Sequence, residues 1–321
     1  KDQAKFWNIL YTNGLGEFLY KNKIDFRGLI QFPYDGKTKF KPTSFPRKDR
    51  ALLGFGGGKD SIVVAQLLKK QNRDFDLFTL GSSQVQESSA KVMNKDPIVI
   101  NRELDSKLFD INKEKGSYNG HVPISAIYAF LGIFAGVLYD YQYFVVGNEK
   151  SANYGNVEYL GEIINHQWSK SEEFEKLFQE YVTKFITPNV SYYSPLRKLN
   201  ELEIAKEFVK YPEYFEVFSS CNKNFKISTR LRPDESGLRR GKWCGKCAKC
   251  LFTFISLAAF LPKKEVLDIF GKNLLDDENL IPLFEELTGV RNFKPFECVG
   301  PPEEVKKALG KIIQRGEFND S

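Results

Sequence analysis

The sequence predicts an α/β protein, a parallel sheet flanked by helices, followed by a mainly helical region that carries a cysteine cluster. Three observations predict it. From Ala51 onward, short apolar runs alternate with helical segments, the pattern of βαβ units. Three consecutive glycines, Gly56, Gly57 and Gly58, stand where the first run hands over to a helix. Beyond Cys221 the strand pattern stops, and cysteines and basic residues lead into helices.

Residues Lys1 to Asp49 are mixed, aromatic and basic, with Pro33, Pro42 and Pro46 near the end, and read as a short helix followed by irregular chain. Ala51–Phe55 reads as a buried strand and Ser61–Lys70 as a helix. Phe75–Leu80 and Pro97–Ile100 follow as strands. Ile124–Tyr139 is a long apolar helix, shorter than a membrane span, and Tyr143–Val146 is the fourth strand. Asn200–Val209 is helical and Phe215–Phe218 is the expected fifth strand. Leu251–Phe260 opens the terminal helices. The expected organisation is a lead over 1–49, an α/β domain over 50–225 and a helical domain over 226–321.

Composition narrows the function classes. The chain has 321 residues, 42% hydrophobic and 27% charged, ordinary values for a globular protein. The formal net charge of +6 suits anionic small molecules and does not by itself point to nucleic acid. No signal peptide or membrane span is legible, so a cytoplasmic location is expected. Oligomeric state is not written in the sequence.

The glycine stretch, "LLGFGGGKDSIVVAQLLKK" from Leu52, carries the chemistry. In an open parallel sheet, ligands bind at the carboxyl ends of the strands. Glycines allow close backbone approach there, and the following helix offers free N–H groups and a positive dipole end. Gly56 to Ser61 is therefore an expected phosphate site. Lys59 and the Ser61 hydroxyl add contacts, and Asp60 holds the loop or a metal ion. The stretch is neither of the two commonest nucleotide loops.

Cys244, Cys247 and Cys250 stand two residues apart on one loop, with Cys221 upstream at the end of the expected fifth strand. Four thiolates so spaced suit structural zinc, the alternatives being an iron–sulfur cluster or free thiols. The same region carries Lys226, Arg230, Arg232, Arg239, Arg240, Lys242, Lys246 and Lys249, read as a solvated basic face or as a holder of diphosphate and carboxylates.

Gly56-Gly57-Gly58-Lys59-Asp60-Ser61 resembles the PP-loop of the ATP pyrophosphatases, usually Ser-Gly-Gly-x-Asp-Ser, with Gly56 in place of the first serine. The resemblance implies a nucleotide α-hydrolase fold and cleavage of ATP to AMP and pyrophosphate. Further blocks are similar to the ATP-dependent UDP-N-acetylmuramoyl-L-alanyl-L-glutamate epimerases. They are "GHVPISAIYAF" at Gly120, "VVGNEKSANYGNVEYLG" at Val145, "NHQWSKSEEFE" at Asn165, "SSCNKNF" at Ser219, "WCGKCAKC" at Trp243, "FGKNLLDD" at Phe270 and "KPFECVG" at Lys294. That family inverts the terminal glutamate of a peptidoglycan precursor, which implies ATP, Mg2+ and a UDP-muramoyl dipeptide as small-molecule substrate. The competing reading is a PP-loop enzyme that modifies tRNA or a nucleobase, its basic cluster touching RNA phosphates.

Inversion needs a proton acceptor on one face and a donor on the other. Histidine titrates near neutrality, and the chain has two, His121 and His166. His166 leads, with Lys170 four residues on and expected on the same helix face. His121, before Pro123, reads as a capping or packing residue. Glu149, after Gly147 at the fourth strand's end, is a candidate for magnesium or a proton. Cys298 is a candidate thiolate base or a small buried residue. Lys59, Asn153 and Asn156 are candidate ligands for ATP or substrate carboxylates.

Overall fold

The computed structural model describes residues 1–38, 40–223, 243–291 and 293–318. Helices α1 (Asp2–Gly14) and α2 (Gly16–Lys21) come first, and irregular chain leads to β1 (Lys48–Gly54). The sheet is then built by α3 (Lys59–Lys70), β2 (Phe75–Leu80), α4 (Gln84–Val92), β3 (Ile98–Ile100), α5 (Lys107–Ile111), α6 (Ile124–Leu138) and β4 (Tyr141–Val145). A small hairpin, β5 (Val157–Tyr159) and β6 (Glu162–Ile164), precedes α7 (Glu172–Phe185), β7 (Ser191–Tyr193) and α8 (Glu201–Phe208). Helices α9 (Ala248–Ala258), α10 (Lys263–Phe270), α11 (Ile281–Thr288) and α12 (Pro302–Arg315) complete the chain.

Five strands form one sheet in the order β3-β2-β1-β4-β7, every neighbouring pair parallel. Successive strand residues face opposite sides. Ala51, Leu53, Phe75 and Leu77 point into a core shared with α3, α8 and α9. Leu52, Phe78 and Phe144 point into a second core with α1, α6 and α7. Both faces are covered, which is why the strands read as continuous apolar runs. The first core runs unbroken from the sheet into α9 and α12 through Leu251, Phe254 and Ala308.

Three expectations change. The fifth strand is β7, not Phe215–Phe218. Pro212 starts a short 3-10 turn, and the Phe218 amide donates to the Tyr214 carbonyl at 2.9 Å, so both side chains turn into the core. Cys221 accordingly lies in a loop and not at a strand end. The lead is more ordered than a single short helix: Phe6 stacks on Tyr181 at 4.2 Å and Trp7 on Phe130 at 5.2 Å, fixing α1 to α6 and α7. No helix among the described residues is long and apolar enough to cross a membrane.

Candidate active site

The chain visits β2 and β3 on one side of β1, then β4 and β7 on the other, so the strand order reverses between β1 and β4. Such a switch point opens a crevice at the carboxyl ends of the strands. Gly56 to Ser61 follow β1 there, and Gly147, Asn148 and Glu149 follow β4. A cavity of about 250 Å³ lies between them, lined by Gly56, Gly58, Asp60, Ser61, Gly147 and Asn148. Lys170, Ser219, Ser220, Lys249 and Cys298 close its other side.

The glycines divide the work. Gly57 has φ +73°, and a Cβ there would stand 2.9 Å from Val85 Cγ1 and 3.0 Å from its carbonyl oxygen. Gly57 is thus required by the loop itself. Gly56 is exposed, and nothing lies within 4 Å of where its Cβ would be, so the loop itself does not require a glycine there. Gly58 caps α3, with the Ser220 hydroxyl over it. A Cβ at Gly147 would press on Asp60 at 3.2 Å, so the loops after β1 and β4 touch. The Ser61 hydroxyl donates to the Gly58 carbonyl at 3.0 Å.

Lys59 does not reach the cleft. It is fully buried and pairs with Asp60 and Glu201. Burial would lower its pKa, but the two carboxylates hold it above the ordinary lysine value. Asp60, Glu149 and Glu201 bring one carboxylate oxygen each within 4.8 Å of the others. Burial, then the Glu201 charge, push Glu149 up to about 7. Burial also acts upward on Asp60, but the Lys59 and Lys249 charges bring it below the usual carboxylate range.

The second half of the site gathers around Cys298. Lys170 Nζ lies 3.4 Å from its Sγ, and His166 hydrogen-bonds the same thiol. His166 and Lys170 do not share a helix face as expected. The chain turns at Asn165–Gln167, Lys170 ends a 3-10 turn, and α7 begins only at Glu172. They meet at Cys298 instead. Burial disfavours the thiolate, but the Lys170 charge and the His166 hydrogen bond outweigh it and lower Cys298 to about 5. Burial also acts against protonated His166, but Cys298 and Glu17 raise it to about 9. Burial and the His166 charge lower His121 to about 4, while its ring stands 4.4 Å from that of His166.

Asn156 is structural. Its Oδ1 accepts from the His166 amide at 2.8 Å, and its Nδ2 donates to the Lys294 and Pro295 carbonyls at 3.1 and 2.8 Å. It thereby ties the His166 turn to the Cys298 segment. Asn153 accepts from the Glu172 amide at the start of α7.

Several residues at the site were missed or left open by the sequence reading. Glu17, on α2, hydrogen-bonds His166 Nδ1 at 2.5 Å. Glu201 opens α8 and takes Lys59. Lys249 is buried, not on a solvated face, and donates to the Cys298 carbonyl. Burial lowers the Lys294 ammonium to about 8. The "KPFECVG" block was the one signal for Lys294. Lys249 lies in the "WCGKCAKC" block and in the basic cluster read as a solvated face or a holder of diphosphate and carboxylates, while nothing local marks Glu17 or Glu201. Lys246 is exposed, and Lys226, Arg230, Arg232, Arg239, Arg240 and Lys242 fall outside the described residues.

The four cysteines converge. Their sulfurs lie within 4.8 Å of one another, with Cys244–Cys250 at 3.7 Å and Cys247–Cys250 at 3.5 Å. Four thiolates about 2.3 Å from one ion stand about 3.8 Å apart, so the set fits a single tetrahedral metal. Cys247 caps α9 and Cys250 sits in its first turn, while the Ser219 amide donates to the Gly57 carbonyl at 3.3 Å. The cysteine site therefore joins the wall of the cleft to α9.

A parallel sheet of this order, with a glycine loop at its switch point and a helical region bearing four cysteines, defines an open α/β fold with its cleft at the carboxyl ends of the strands. Residues 1–195 match the MurL N-terminal domain and residues 217–321 the MurL C-terminal domain. The chain is 37% identical over 320 residues to the UDP-N-acetyl-alpha-D-muramoyl-L-alanyl-L-glutamate epimerase of Xanthomonas oryzae pv. oryzae, covering 99% of this chain and 69% of that protein. It is 35% identical to the enzyme of that name from a Micromonospora species, covering 99% and 69%. The chain belongs to this epimerase family. Likeness to solved structures is loose: U34-tRNA thiolase NcsA from Methanococcus maripaludis has 14% identity and a TM-score of 0.34, covering 59% of this chain and 61% of that one.

Proposed function

We propose that this chain inverts the terminal L-glutamate of UDP-N-acetylmuramoyl-L-alanyl-L-glutamate to D-glutamate in peptidoglycan precursor synthesis, consuming ATP. One observation carries the reading: a single cleft is lined both by the phosphate-binding loop and by the Lys170–Cys298 pair. Activation and proton transfer therefore have one address.

The chemistry explains the pairing. Removing an α-proton beside a free carboxylate piles negative charge on oxygens already negative. Transfer of the carboxylate to the α-phosphorus of ATP gives an acyl-adenylate and releases pyrophosphate. The acyl group then starts out neutral, so loss of the α-proton places one negative charge on the acyl oxygen instead of adding a second to a carboxylate, and water later releases AMP. The Gly56–Gly58 amides and the N-terminus of α3 hold phosphate oxygens. Asp60, Glu149 and Glu201 are the residues that would hold Mg2+, which screens phosphate charge when bound. Lys170 and Lys249 bring positive charge to the acyl end, where negative charge develops. Cys298 as thiolate is a base at the cleft, held by His166 as imidazolium behind it, with Glu149 and Lys170 as the further candidates for proton transfer.

The cysteine set reads as structural zinc. Its sulfurs are spaced for one ion, closer than the ligands of a multi-iron cluster. A closed tetrad leaves no position open for substrate. Substrate and ATP are both cytoplasmic metabolites by chemistry, which supports that location.

The test is incubation with ATP, magnesium and the UDP-muramoyl dipeptide in heavy water. AMP release together with deuterium at the glutamate α-carbon is expected. AMP formed with no deuterium incorporated would overturn the reading.

A further inference from the structure

The N-terminal lead supplies a charged side chain to the candidate proton-transfer pair. Glu17 lies on α2, only 5% exposed, about 150 residues in sequence from the histidine it holds. Its Oε2 meets His166 Nδ1 at 2.5 Å, and the other oxygen, Oε1, takes Lys21 one turn on. With Nδ1 so occupied, Nε2 is the remaining polar atom of the ring, and Cys298 is the ring's other side-chain partner.

We propose that Glu17 is a positioning residue of the epimerisation: it fixes the ring and the protonation state of His166, which in turn holds Cys298 ready at the cleft. The order is thiol, imidazole, carboxylate, each within hydrogen-bond reach of the next, the arrangement by which a base is oriented by a third group. The cleft is lined by Cys298 and not by His166 or Glu17, so the thiol is the member that meets substrate. Helix α2 is packed to hold this geometry. A Cβ on Gly16 would touch Ile164 at 3.4 Å, and Leu19 and Ile164 share a small core beside Phe296. Thus α2 rests at once on the strand leading to His166 and on the segment leading to Cys298.

The other charges around the pair are accounted for. Facing His166 are Glu17 and Lys21 from α2 and His121 from the loop before α6. Facing Cys298 are Lys170, Lys294 from its own segment and, from α9, Lys249, with Glu297 next to it in the chain. Glu17 is the one carboxylate bonded to His166 among the described residues. A lysine cannot replace it, since only an acceptor orients Nδ1–H.

This inference rests on the epimerase reading, and its test can fail separately. Two histidines make the ring nitrogens of the wild-type protein directly readable by 15N NMR. Near neutral pH, His166 is expected doubly protonated with a strongly deshielded Nδ1 proton, and His121 neutral. In Glu17→Gln, the midpoint for Cys298 alkylation by iodoacetamide, followed by peptide mass spectrometry, should move upward in pH. The kcat for α-deuteration should fall at least about tenfold, with KM for ATP held within about twofold. Glu17→Asp should recover part of kcat. A neutral His166 in the wild type would overturn the proposal, whatever the fate of the variants. So would an alkylation profile in Glu17→Gln that superimposes on the wild type. Either result would leave intact an epimerase reading supported by AMP release and α-deuteration.

Discussion

Gly56 and Gly57 are adjacent and chemically identical, yet they answer different questions. Gly57 is fixed by its positive φ and by Val85, so any side chain there disturbs the loop before a ligand arrives. Gly56 faces open space, so Gly56→Val should leave the fold intact and fill the place of a phosphate oxygen. A lost hydrogen bond to a charged group costs about 1.5–3 kcal/mol, so ATP should bind about ten- to hundredfold more weakly by calorimetry. Unchanged ATP affinity in a folded Gly56→Val protein would remove the loop from the nucleotide site. Cys298 and His166 make a second prediction at this scale. The thiolate is retained down to about 5 and the imidazolium up to about 9. Falling pH protonates the base, and rising pH deprotonates the acid. The rate of α-proton exchange should therefore form a plateau between those limits, reported as properties of the coupled pair. A profile centred on one group near the free histidine value would contradict the ion pair.

At the scale of elements, the sequence carried the sheet better than it carried the site. β2 was legible to the residue because Phe75, Leu77, Phe78 and Leu80 make it mostly apolar, with Phe75 and Leu77 entering one core and Phe78 the other. β7 is three residues long and was displaced by Phe215–Phe218, whose aromatic residues serve a turn. The glycine loop and the cysteines were legible because their chemistry is local. Glu17 and Glu201 were not, since each becomes a site residue only through contacts more than a hundred positions away, and Lys249 was left between a solvated face and a binding role until its burial decided it. His166 and Lys170 were paired by a helix that does not exist, and they met because the chain turned them both to Cys298. The cysteine tetrad has a consequence of the same order. Through Cys221 it anchors the loop beginning at Ser219, and through Cys247 and Cys250 it anchors the start of α9. Cys247→Ser, or removal of the metal by a chelator, should lower the unfolding midpoint and weaken ATP binding together. Elemental analysis should find one zinc per chain in the wild type and less in the variant. Full ATP affinity in zinc-free protein would detach the tetrad from the cleft.

Taken as a whole, the molecule assembles its candidate site from stretches that the chain delivers separately. The loops after β1 and β4 bring the glycines, Asp60 and Glu149, and the start of α8 brings Glu201. The turn after β6 brings His166 and Lys170, α2 brings Glu17, and the segment before α12 brings Cys298 from the far side. Asn156 stitches the last two sides together through His166, Lys294 and Pro295. The glycine loop and the thiol thus line one cavity without sharing a side chain. That separation has a kinetic consequence. Adenylation needs the loop and leaves the α-carbon untouched, while inversion needs a base on the α-proton of an already activated acyl group. Cys298→Ala removes the thiol and nothing from the loop. It should still exchange labelled pyrophosphate into ATP in the presence of the dipeptide substrate, at close to the wild-type rate. Its α-proton exchange should fall about a hundred- to ten-thousandfold, the range for loss of a general acid or base. Gly56→Val should lose both reactions, because no activated acyl group forms. If Cys298→Ala exchanges the α-proton normally, the thiol is not the base, and Glu149, with its pKa raised to about 7 at the same edge of the sheet, takes its place. If instead it loses pyrophosphate exchange as well, the thiol acts before or during activation, and the two halves of the cleft are not kinetically independent.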